Sequence, residues 1–229
     1  MSNTSEVSKK DSVCKQDTDR VLLVEGDNDC HVVMALCKAH DVPETFGIYQ
    51  CGSDIGVLKR LNALIIRPNP PQVIGVMLDA DNPSLEGRWQ SIRGKLQHYS
   101  YRLPSKPDAD GTVVETSLDE PKLGFWLMPN NQTSGMLEDF CAELAEPESL
   151  AFARGCVAQA EDNQVTTFKE VHRSKAVIHT YLAWHDEPGY PLGKAITSQA
   201  LRPHTDVAVK FTNWLIRLFV EKSPDQVHI

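Results

Sequence analysis

Apolar positions along this chain fall into short solid runs separated by segments in which they recur every three or four residues. Residues 21–24, 46–52 and 73–78 are brief apolar stretches stopped by acids or glycine, the form of strands buried in a parallel sheet. Between them, Val32, Val33, Leu36 and Cys37, then Ile55, Leu58, Leu61, Leu64 and Ile65, keep the period of amphipathic helices. Asp27 or Asn28 is placed to cap the first helix, which ends near Asp41-Val42-Pro43. Ser53 or Asp54 caps the second, and the stretch 67–71 (RPNPP) stops it. A third helix over 84–99 completes a βαβαβα rhythm, which predicts an α/β fold: a mainly parallel sheet between helices.

The rhythm then changes. Residues 103–110 read as loop, 112–116 (TVVET) as an edge strand and 123–128 (LGFWLM) as another core strand. After a turn at 129–133, Thr133 or Ser134 caps a helix through Met136, Leu137, Phe140 and Leu144. Further helices are expected over 147–160, 168–184 and 206–219, with a long turn at 187–193 (EPGYPLG). On the last helix Val207, Phe211, Trp214, Leu215 and Leu218 share one face. Trp89, Trp126, Trp184 and Trp214 read as packing anchors. The expected organisation is a polar, disordered tail over 1–19, an α/β domain over 20–145, and a helical extension over 146–229 packed on the same domain.

Composition narrows the function classes. The chain has 229 residues, 41% of them hydrophobic and 24% charged, ordinary for a globular protein. No apolar run approaches the roughly 20 residues of a membrane span, and the polar N-terminus lacks a signal-peptide core. The six cysteines carry no CxxC or Cys/His spacing, which argues against structural zinc and for reduced thiols in the cytoplasm. Net charge is −8. A protein gripping nucleic acid along a broad surface is usually basic, so contact here would be local, metal-assisted or supplied by a partner.

Two strand ends carry the candidate chemistry. Glu25-Gly26 follows the first strand, where open α/β sheets gather ligands, and Gly26 would allow a tight turn there. Asp79-Ala80-Asp81 follows the third, and acids two residues apart on an extended strand end point the same way. Alone, that second segment reads first as a polar turn, since Asp and Asn dominate turns. Paired with Glu25, the acids form one carboxylate cluster suited to a hard divalent cation such as Mg2+ or Mn2+.

Glu25-Gly26 after one apolar strand, with Asp79-x-Asp81 after a later one, resembles the Toprim domain over about residues 21–144. Toprim domains occur in primases, topoisomerases, overcoming-lysogenization-defect (OLD) nucleases and small stand-alone proteins. The stretch from Pro129-Asn130-Asn131 to Gly135-Met136-Leu137-Glu138-Asp139, and then Ser174-Lys175-Ala176, is similar to a stand-alone Toprim-like grouping. The resemblance implies Glu25 as metal ligand or general base and Asp79 and Asp81 as metal ligands. Topoisomerases and primases add a third acid where this chain has Pro83, so the nuclease branch is the nearer one. There an acid beside the motif glutamate, further acids and a late lysine complete the site. Asp29, Glu138 or Asp139, and Lys175 are the candidates for those places. Acids near a helix start also stabilise without any function, and a lysine at the edge of an apolar face also snorkels to solvent. The function implied is metal-dependent phosphodiester cleavage on nucleic acid. OLD nucleases join Toprim to an ATPase, and this chain has no phosphate loop of its own, so an ATPase partner is implied by analogy. The alternative is a non-catalytic Toprim-like module that holds a metal or nucleotide or docks a partner.

Overall fold

The computed structural model describes residues 13–15, 19–114 and 120–220. A six-stranded sheet lies between two layers of helices. Its strands are β1 (Val13–Lys15), β2 (Arg20–Val24), β3 (Gly47–Gln50), β4 (Val73–Asp79), β5 (Thr112–Val114) and β6 (Lys122–Met128), in the spatial order β1-β3-β2-β4-β6-β5. The four central strands are parallel, and β1 and β5 add antiparallel edges. This is the α/β sheet expected from the apolar runs. The helices are α1 (Asp27–Ala39), α2 (Asp54–Ile66), α3 (Leu85–Leu96), α4 (Leu137–Leu144), α5 (Pro147–Asp162), α6 (Arg173–Leu182), α7 (Leu192–Thr197) and α8 (Asp206–Phe219). Among the described residues none is long and apolar enough to cross a membrane.

Alternation along the strands divides the core in two. Leu23, Ile74, Val76, Leu78, Phe125 and Leu127 face α2 and α3, where Val57, Leu61, Trp89 and Ile92 pack against them. Leu22, Val24, Met77, Trp126 and Met128 face the other layer, built from α1, α4 and the C-terminal helices. In that layer α8 lies directly on the sheet. Gly75 and Gly124 are partners in the β4–β6 register, and a Cβ on either would come within 2.8 Å of the Phe219 ring or 2.3 Å of Leu218. Two adjacent strand glycines thus let α8 approach closely, so the C-terminal helices are part of the core rather than an appendage.

Several local expectations change. The tail expectation fails at 13–15, which pair with β3, while most of residues 1–18 lie outside the described residues. Asp19 also accepts the Gln72 amide at 2.7 Å. The end of the predicted 112–116 strand, Glu115 and Thr116, lies outside the described residues as well. Cys14 and Cys30 form a disulfide joining β1 to α1, so the reduced-thiol reading does not hold for that pair. The cap of α4 is Met136, not Thr133 or Ser134; the Ser134 hydroxyl instead accepts the Leu85 amide at 2.9 Å. The helix expected over 168–184 is shorter. It begins as a single 3-10 turn at Glu170–His172, which leaves Val171 exposed, before α6. Its terminal Trp184 is not a core anchor: it is 48% exposed and lies against the exposed ring of Phe152. The long turn at 187–193 runs into α7, whose Gly193 approaches the His31 carbonyl of α1.

Candidate functional site

At the carboxyl ends of β2 and β4 the sheet changes direction. The chain leaves β2 through α1 toward β3 on one side, and leaves β4 through α3 toward β6 on the other. The crevice between such diverging loops is where open α/β sheets bind ligands, because both loops expose backbone and polar side chains there. Glu25 and Asp79 occupy its two walls. They are joined directly: the Asp79 amide donates to Glu25 Oε1 at 3.0 Å.

Two helix N-termini converge on the same place. In α1 the cap is Gly26, not Asp27 or Asn28, and Asp29 reaches back so that its Oδ2 accepts the Gly26 amide at 2.9 Å. In α4 the arrangement repeats, with Asp139 Oδ2 accepting the Met136 amide at 2.9 Å. The Leu137 amide, in the first turn of α4, donates to Asp79 Oδ1 at 2.9 Å. Free amides and the helix dipole both favour an anion in that position. Gly26 itself is extended, and an added Cβ would make only an ordinary 3.5 Å contact with Asp29, so a tight turn is not what requires glycine there.

The structure also separates Glu138 from Asp139. Asp139 is committed to the α4 cap and accepts the Ser174 hydroxyl at 2.6 Å. Glu138 is buried and meets Lys175 of α6, with Nζ 3.6 Å from Oε1. Lys175 is half-exposed, its ammonium at the edge of the acidic cluster. Asp81, partly exposed beyond the strand, adds its charge to the environment of both Asp79 and Glu25.

Gathering these acids has an electrostatic cost. Asp79 is pushed up to about 8, first by burial and then by the charges of Asp29, Glu25, Glu138 and Asp81. Asp29 is raised to about 7, by burial first and then by Glu25 and Glu138, against the pull of its backbone hydrogen bonds. Burial also raises Glu25, with Asp54 and Asp81 adding to the shift while the Asp79 amide and Arg88 oppose it. The cluster is short of positive charge.

Two contributors escaped the sequence reading. Arg88 is buried and pairs with Asp54 at 2.6 Å beside Glu25. Its signal was a charged residue three after Leu85 and four before Ile92, inside the apolar stripe of α3. Asp54 had been read only as a helix cap.

A family model described as Protein of unknown function (DUF3226) matches residues 19–220. The chain belongs to this family. No curated protein and no solved structure matches it. The DUF3226 match takes in every residue of the cluster together with α8, as expected if the helical layer and the acidic crevice form one unit.

Whether the DUF3226 crevice suits a divalent cation rests on its donors. Carboxylate oxygens are the right chemistry for a hard cation, and the raised acids lack the counter-charge one would supply. Among the described residues, however, no three acidic, histidine or cysteine side chains are already arranged to hold a metal ion. Glu25, Asp29 and Asp79 each turn one oxygen to a backbone amide. The oxygens left over are of the chemical type a hard cation takes, and too few to enclose one without water.

Proposed function

We propose that this crevice is a divalent-metal-dependent phosphodiester-cleaving site, nuclease-like and of the Toprim kind. The observation that carries the reading is convergence. Glu25, Asp29, Asp79 and Glu138 come from separate elements to one switch point, with the Lys175 ammonium against Glu138. A bound Mg2+ or Mn2+ would polarise the phosphate and make its bound water a stronger nucleophile. Asp79 and Asp81 are the residues to hold it, with Asp29 and Glu138 supplying reserve negative charge. Glu25, raised by burial, is suited to accept a proton from the attacking water. Lys175 would offset charge gathering on the phosphate oxygens as a point charge. The net charge of −8 leaves the broad grip on a polyanion to something else, and an ATPase partner would supply it.

A second reading is a non-catalytic module that holds a metal or nucleotide, or docks a partner. It is favoured by the net charge of −8 and, among the described residues, by the lack of a ready three-donor cage for a catalytic metal. Calorimetric titration of Mg2+ and Mn2+ into the wild type and Asp79→Ala/Asp81→Ala separates the two. The same samples are incubated with single- and double-stranded DNA and RNA. Metal binding and cleavage that vanish together in the variant support the nuclease, and mutant-sensitive binding without cleavage supports the module. Identical binding by both proteins rejects the site.

A further inference from the structure

Arg88 is only 7% exposed, yet among the described residues its side-chain hydrogen bonds go to the segment that carries the acids and to the helix beside it. Its Nε donates to the Asp79 carbonyl at 2.9 Å and its Nη2 to the Asn82 carbonyl at 3.0 Å. Its Nη1 donates to Asp54 Oδ2 at 2.6 Å. One rigid planar fork therefore spans the start and end of the turn that leaves β4, and Asp81 lies between the two carbonyls it holds. On the opposite side the Ala80 amide donates to the Gly135 carbonyl at 2.8 Å. The turn is gripped from both sides, and Asp54, in the first turn of α2, keeps the guanidinium from swinging away.

A lysine could not do this. Its ammonium is a single point and cannot meet three acceptors across the width of a guanidinium. Burying an arginine is costly unless each donor finds a partner, and here the partners are the loop itself. We propose that Arg88 is a positioning residue. It fixes the curvature of the Asp79–Asn82 turn, and thereby the direction in which Asp81 is presented to a cation, with Asp54 as its anchor. The presentation to a cation rests on the metal reading above; the fixing of the turn does not.

The test uses the full chain as wild type, Arg88→Lys, Asp54→Asn and Asp81→Asn. Three quantities are read: amide hydrogen exchange at Ala80 without metal, Mn2+ affinity by calorimetry, and water-proton relaxivity of bound Mn2+. Arg88→Lys is expected to quicken exchange at Ala80 at least tenfold while β6 amides stay protected. It should also weaken Mn2+ by about tenfold, as loss of a supporting partner does, and add one water to the bound ion, matching Asp81→Asn. Asp54→Asn should shift all three in the same direction by less, and it carries the test if Arg88→Lys does not fold. Exchange at Ala80 and Mn2+ hydration unchanged from wild type, whatever happens to the melting temperature, would overturn the proposal. Wild type that binds no Mn2+ rejects the metal reading and, with it, the presentation of Asp81; exchange at Ala80 then decides the turn alone.

Discussion

Replacing Asp79 with Asn removes one charge from the most crowded point of the cluster while keeping an oxygen for the Leu137 amide. In the folded protein Asp79 titrates near 8 rather than at the ordinary 3.8, because burial strips its water and neighbouring acids repel its charge. The sign follows from proton linkage. A carboxyl whose folded pKa is raised binds protons on folding, so its stabilising share is fully present below 3.8 and is lost as pH rises through about 8. With roughly 1.4 kcal/mol per pKa unit, and a discount for partial exposure and relaxation, ionised Asp79 should cost on the order of 3 kcal/mol at about pH 9. Asp79→Asn is therefore expected to be more stable than wild type by that order at about pH 9 in chelator, with the difference closing toward about pH 4. Urea unfolding across this range measures it. Adding Mg2+ to about one hundred times its dissociation constant should return about 2.7 kcal/mol to wild type and much less to the variant. A variant less stable than wild type at about pH 9, or a difference that does not move with pH, refutes the reasoning.

Other perturbations have equally definite outcomes. Lys175→Met should reduce metal-dependent phosphodiester cleavage at least tenfold while leaving Mn2+ affinity unchanged or tighter, since it removes a cation beside Glu138; initial rates and calorimetry decide this. Gly111→Ala should destabilise by roughly 2–3 kcal/mol, because a left-handed backbone meets a Cβ set against the Trp214 ring. Gly94→Ala, with open space inside α3, should instead be neutral or gain up to roughly 1 kcal/mol; urea midpoints compare the pair. Thiol titration of the denatured, unreduced protein should find four free cysteines, and reduction should lower the melting temperature, the loop closed by Cys14–Cys30 being worth about 3 kcal/mol in the chain-entropy account. Six free thiols would remove the disulfide.

Much of the site was legible because its signals are local. Glu25 and Asp79 stand where an apolar run meets an acid, and that junction marks a strand end whatever surrounds it. Asp29, Glu138 and Lys175 were placed by resemblance, and the structure brings all three to the crevice while turning Asp139 to the Ser174 hydroxyl. The choice between Glu138 and Asp139 depended on which side of α4 faces the strand ends. The caps of α1 and α4 were misplaced for a related reason: an acid at the third helical position reaches back over the start, so the cap falls on Gly26 and Met136, whose own side chains do no capping.

By itself, then, the sequence determined the parallel strands, their order of appearance, the helices between them and the acids at two strand ends, because these depend on periodicity and on residues adjacent in the chain. Only tertiary structure decided what depends on groups far apart. It placed α8 on the glycine pair of β4 and β6, paired 13–15 with the β3 edge, exposed Trp184, and buried Arg88 against Asp54 and the Asp79–Asn82 turn. A glycine's value as an opening, or an arginine's as a clamp, is set by what arrives opposite it, and that partner lies in another part of the chain.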